Sequence, residues 1–210
     1  MKVVIFGATG QTGRELLQQA LNRGHYVTAI VRDPAAIVLT HQRLHVTVGD
    51  ALKPDSFAPA LEQQDAVLSA IGISSFWASL KPMTFHRQSA QNIVAQMNRA
   101  GVKRLVCLTS VGVLDKPVGP LFYRWLVKPL LRHKYEDMRQ MEQIVRKSTL
   151  EWTIVRPFRL VSGERTGHVR VGVSGTLDNA GSISRADLAE FMLGQLESEA
   201  NWQQTIAVAY

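Results

Sequence analysis

The segment Gly7-Ala8-Thr9-Gly10-Gln11-Thr12-Gly13 constrains this chain more than any other. It stands between a short apolar run, Val3–Phe6, and a helical stripe of Leu16, Leu17, Ala20 and Leu21. Glycines at this spacing permit a tight strand-to-helix turn. Backbone N–H groups can then approach a bound group at the positive end of the new helix. A strand, such a turn and a helix open a parallel crossover unit, and the rest of the chain repeats the alternation. Val27–Val31, Leu44–Val48, Ala66–Ile71, Leu105–Leu108, Trp152–Val155 and Thr205–Val208 read as strands. Helical spacing appears in Ala90, Ile93, Val94 and Met97 and again in Met138, Met141, Ile144 and Val145, with Gly24 and Gly101 as helix stops. Ser184 and Asp187 read as a capping box for a last helix carrying Leu188, Phe191 and Met192. Right-handed crossovers then give an α/β fold: one Rossmann domain over residues 1–210, with a doubly wound, mainly parallel sheet. Residues 114–135 resist the pattern. Pro117, Pro120 and Pro129 fall there among aromatic and basic residues, on the substrate side after strand five.

Composition narrows the classes. The 210 residues suffice for one buried core, and 46% hydrophobic with 20% charged residues places the chain among water-soluble globular proteins. A single cysteine, Cys107, excludes an intrachain disulfide, and its apolar strand makes it a buried, inert thiol. No leader pattern or membrane-length apolar run is read, so a cytoplasmic chain is expected. The net charge of +7 suits an anionic ligand or merely a basic surface. No nucleic-acid motif accompanies it, and the expected partner is a small-molecule substrate, with a monomer expected. His86, His133 and His168 have no metal-ligand spacing and read as surface or core residues, so no metal is expected.

The glycine turn suits a pyrophosphate, with Gly7, Thr9, Gly10, Gln11, Thr12 and Gly13 as its contacts. Strand two ends at Arg32 rather than at the acidic residue that would accept from ribose hydroxyls, and an arginine there matches a 2′-phosphate. The expected cofactor is therefore NADP(H), although Asp33 would repel that phosphate if it pointed inward. Asp50 can accept from the adenine amino group beside Ala51 and Leu52, or it can cap a turn. Ala70, Ile71 and Gly72 are small enough to let backbone lie beside a ribose.

The motifs GATGQTG, the VRD after strand two, the GD after strand three and the Thr-Ser after strand five together resemble the atypical short-chain dehydrogenase/reductase group. The likeness is greatest to its flavin reductase/biliverdin-IXβ reductase branch and to the NAD(P)H-binding, NmrA-like relatives. The resemblance spans nearly the whole chain. It implies that the residues above hold the cofactor, that Thr109 and Ser110 flank the nicotinamide, that the Arg156-Pro157 pair shapes its pocket, and that Pro157 and Phe158 are further cofactor contacts. Read locally, Ser110 can equally cap a turn. The chain departs from the group in its proton donors. The Tyr-x-x-x-Lys pair is absent, since Arg139 lies four residues after Tyr135. Met138 falls where related members place a lysine or histidine. Arg159 takes the place of a histidine after strand six, and a guanidinium can orient an anion but is a poor general acid. Ser110 and Arg159 are thus the catalytic candidates. Tyr123 and Trp125 are candidate substrate-lining residues, within a run that reads as a lid, a membrane contact or plain packing. The expected function is NADPH-dependent reduction of a conjugated acceptor, flavin or quinone, which can draw its proton from solvent. The alternative is a nucleotide sensor without turnover.

Overall fold

A computed structural model describes residues 1–73, 76–114, 123–173 and 175–210. Its strands are β1 (Lys2–Phe6), β2 (Tyr26–Val31), β3 (Leu44–Val48), β4 (Ala66–Ser69), β5 (Arg104–Leu108), β6 (Glu151–Pro157), β7 (Arg159–Val161), β8 (Arg170–Val173), β9 (Ser182–Ser184) and β10 (Gln204–Ala209). Its helices are α1 (Gln11–Asn22), α2 (Phe76–Ser79), α3 (Phe85–Ala100), α4 (Lys128–Leu130), α5 (Arg132–Lys147) and α6 (Arg185–Gly194). The main sheet runs β3-β2-β1-β4-β5-β6-β10-β8, parallel throughout except where β8 lies antiparallel to β10. Strand order therefore reverses beside β1, which pairs with β2 on one side and β4 on the other. In doubly wound sheets the crevice for a ligand opens at the carboxyl ends of the strands at that reversal.

Alternate side chains of the central strands β1, β4, β5 and β6 feed the two main cores on opposite faces of the sheet. Val3 and Ile5 join Leu16, Leu17, Leu188 and Met192 under α1 and α6. Val4 and Phe6 join Ile93, Met97, Met141 and Val145 under α3 and α5. Both faces of β1 are dry because crossover helices cover both, which is why its sequence is apolar at successive positions rather than at every second one. Among the described residues no helix is long and apolar enough to cross a membrane.

Several elements differ from the sequence reading. β4 ends at Ser69, not Ile71, because the chain leaves the sheet where the Ala70 carbonyl meets Gly7. The three-residue strands β7 and β9 pair with each other outside the main sheet and are too short to show a period. The expected capping box is only half formed. Ser184 Oγ accepts from the Asp187 N–H at 3.0 Å, but the Ser184 N–H donates to Tyr210 Oη at 3.0 Å. The irregular segment of the sequence is not irregular to its end: a wide-turn helix spans Tyr123–Val127, and α5 begins at Arg132. Pro117 and Pro120 lie outside the described residues.

Candidate functional site

A cleft of about 770 Å³ opens at the carboxyl ends of β1, β2, β4 and β5. Its floor is the glycine turn. Gly7 has φ +81°, and a Cβ there would lie 2.6 Å from the Ala70 carbonyl oxygen, so only glycine lets the turn and the end of β4 close on one another. The Gly10 N–H donates to Gly7 O at 3.0 Å, and Gly10 begins α1 with no side chain capping the helix. Uncapped N–H groups at a helix start have no intrahelical acceptor and are left to a ligand. Thr9, Gly10, Gln11 and Thr12 line the cleft at this point, and Arg14 adds positive charge. Gly13 does not line it. A Cβ at Gly13 would stand 1.9 Å from Gly7 O, so this glycine lets α1 pack against its own turn.

Arg32, Asp50 and Ala51 line the end beside β2 and β3. The Asp33 carboxylate is turned away onto its own chain, where Oδ1 accepts from the Ala35 N–H at 3.0 Å and starts a short 3-10 turn. The local reading of Asp50 as a turn cap is also realised: Oδ1 accepts from the Leu52 N–H at 3.0 Å while the residue faces the cleft. Leu52 is exposed and outside the lining, because that turn carries it away.

Ala70, Ile71, Gly72, Thr109, Ser110, Pro157 and Phe158 line the opposite end. The Thr109 hydroxyl donates to Glu142 Oε1 at 2.9 Å. Glu142 is buried and also takes Arg156, so Thr109 is fixed by the same ion pair that holds β6 to α5. Ser110 Oγ accepts from the Gly112 N–H at 3.1 Å. Ser110 thus caps a turn and lines the cleft at once, and its hydroxyl proton remains a donor.

Arg159 is exposed and absent from the lining, because β7 turns off the main sheet to pair with β9. Trp125 is 78% exposed and does not reach the cleft either. The side chain of Tyr123 lies outside the described residues. In their place the structure brings in Phe85 and His86 from α3 and Lys134, Tyr135 and Met138 from α5. Lys134 precedes Met138 by one helical turn and shares its face. Burial holds the Lys134 ammonium below its ordinary value. Met138 also packs with Tyr135 and Val113, so it serves the helix stripe and the cleft together. His86 is fixed by a carboxylate from the neighbouring helix, with Nδ1 3.0 Å from Asp137 Oδ2. That pairing crosses fifty positions of sequence and has no local signature. Cys107 takes no part: burial, then the charge of Glu142, pushes its thiol well up.

Glycine cradle, uncapped helix start and basic rim fit a dinucleotide phosphate. Comparison with known proteins agrees. A family model described as NAD(P)H-binding matches residues 7–199. The chloroplastic protein At2g34460 of Arabidopsis thaliana is 30% identical over 94% of this chain and 72% of its own length. A short-chain dehydrogenase/reductase of Veillonella parvula, solved in complex with NADP, superposes with TM-score 0.80 at 20% identity, covering 100% of this chain and 94% of its own. The anaerobillin reductase ChuY of Escherichia coli O157:H7 gives TM-score 0.79 at 22% identity, covering 100% and 97%.

Proposed function

This chain belongs to the NAD(P)H-binding family, and from that premise we propose that it is an NADPH-dependent reductase of small, flat, conjugated acceptors of flavin or quinone type. The observation that carries the reading is a single cleft with two unlike ends. One end is basic, with Arg32 facing in and Asp33 tied back onto Ala35. The other has apolar walls, Ile73, Phe85, Met138, Phe158 and Leu160, around Ser110.

In this reading the α1 start holds the pyrophosphate, Arg32 the 2′-phosphate, Asp50 and Ala51 the adenine, and Ala70, Ile71 and Gly72 a ribose. A bound reduced nicotinamide supplies a hydride. Thr109 and Ser110 border its end of the cleft with Pro157 and Phe158, and the Ser110 hydroxyl orients a carboxamide or an acceptor carbonyl. The apolar walls select a flat ring and exclude water. That a fold of this kind carries NADP in the Veillonella protein, and serves a reductase in ChuY, supports the proposal.

The test is to titrate NADPH and NADH by calorimetry and then follow NADPH oxidation against flavin, quinone and tetrapyrrole acceptors. Tight NADPH binding with turnover of at least one acceptor is expected. Tight binding with no turnover would overturn the reductase and favour a nucleotide sensor. Equal affinity for both nucleotides would remove the case for NADPH.

A further inference from the structure

His86 is an unusual residue to find in the wall of such a cleft. Its side chain is 1% exposed and sits in the first turn of α3. Thr84 precedes that turn without a side-chain cap, and the cap comes instead from α5. The Asp137 carboxylate accepts from the His86 N–H at 2.8 Å and from the Arg87 N–H at 3.2 Å. A negative charge there satisfies two orphan N–H groups and opposes the helix dipole. This helix-capping duty explains Asp137 fully. It does not explain the imidazole.

The ring is held on two sides. Nδ1 lies 3.0 Å from the same Asp137 oxygen, which can only accept, so Nδ1 carries a hydrogen. The Phe85 ring meets the imidazole edge to face at a centroid distance of 5.4 Å. Nε2 remains. It is buried and has no hydrogen-bond partner among the described residues, although His86 lines the cleft. A buried polar nitrogen without a partner costs roughly 1–3 kcal/mol, a cost that a ligand atom in the cleft would relieve.

Resting on the reductase reading, we propose that His86 is the proton donor to the acceptor, with Asp137 as its positioning residue. Hydride addition places two electrons on the conjugated acceptor and leaves an extra electron pair on its far heteroatom. The Nε2–H bond of the imidazolium breaks, an O–H or N–H bond forms at that heteroatom, and neutral imidazole remains, to be reprotonated from solvent. The Asp137 carboxylate, 3.0 Å from Nδ1, fixes the orientation of the ring in the wall of the cleft and leaves Nε2 as the nitrogen free to exchange a proton. The other titratable groups at this wall are Lys134 and Tyr135 from α5, with Arg87 beside His86 on α3.

The experiment uses the whole protein and three variants, H86Q, D137N and K134M. H86Q keeps the backbone N–H that Asp137 caps, so α3 retains its start. Three readouts are taken: NADPH affinity, kcat against pH with an accepted quinone or flavin, and the imidazole 15N spectrum of the apoprotein. The donor role predicts unchanged NADPH affinity in H86Q with kcat lower by roughly 100-fold, and loss of the alkaline limb of the pH profile. The spectrum should show His86 with its hydrogen on Nδ1 in the neutral form, a preference that D137N abolishes. An H86Q variant with normal kcat, or an alkaline limb that survives H86Q and disappears in K134M, would overturn the proposal and give the proton to Lys134 or to solvent. A neutral ring with hydrogen on Nε2 would overturn it independently of turnover. No turnover of any acceptor by the unmodified protein would instead overturn the reductase reading, and the donor role with it.

Discussion

Arg32 and Asp33 are adjacent residues of opposite charge, and which of them faces the cleft decides the charge of the end beside β2 and β3. Asp33 spends Oδ1 on Ala35, while Arg32 lines the cavity. Hydrogen bonds to a charged group contribute about 1.5–3 kcal/mol. Arg32→Ala should therefore weaken NADPH binding roughly 10–100-fold and leave NADH binding nearly untouched; an equal loss for both nucleotides in calorimetry would contradict the assigned role. That Arg32 stands at this end of the cleft was legible from its position alone, because the residue that closes strand two comes to the carboxyl edge of the sheet. The roles of Gly13 and Arg159 were not. Gly13 matches the phosphate motif but serves packing against Gly7 O, and Arg159 matches a family position while its strand leaves the sheet. A motif gives the residue, and only the backbone path gives the direction in which it points.

Among the elements, α6 shows how tertiary contacts complete what a local motif begins. Ser184 caps it, and the Asp187 carboxylate gathers hydrogen bonds from distant parts of the chain: Tyr210 Oη at 2.5 Å, the Thr166 hydroxyl at 2.8 Å and the Gly167 N–H at 2.9 Å. Burial alone would raise the Asp187 carboxyl, but bonds from Tyr210 and then from Gly167 and Thr166 outweigh it and hold the group well below the usual carboxylate range. A depressed folded value means stability that is present at neutral pH. It is lost as pH falls below the ordinary aspartate value of about 3.9. Urea midpoints measured from pH 6 down to pH 3 should decline in the natural protein. In Asp187→Asn they should start lower and decline less, and parallel declines would exclude this carboxylate as the source. The strands and long helices were readable because periodicity is local. The pairings Asp137–His86 and Glu142–Arg156 were not, because they join residues on different elements that only packing brings together.

At the scale of the whole molecule, the cleft joins β1, β2, β4, β5, α3 and α5, so a ligand filling it braces both halves of the sheet at once. Saturation at a hundred times Kd adds about 2.7 kcal/mol. For a chain of this size that raises Tm by roughly 5–10 °C, and NADPH should give the larger rise at equal NADH concentration in a thermal melt. A rise that is the same for both would speak against discrimination by Arg32. The order of the sheet has another consequence, for the chain as it is made. β10 is the last of the sheet strands in sequence yet lies inside the sheet, between β6 and β8. While a ribosome is still holding that stretch, β6 shows an open edge and β8 has no strand to pair with among the described residues. The part from β1 to β5 can be assembled while translation proceeds, but the sheet closes only after Gln204–Ala209 is free, and a nascent chain arrested before then offers β6 to any extended peptide nearby.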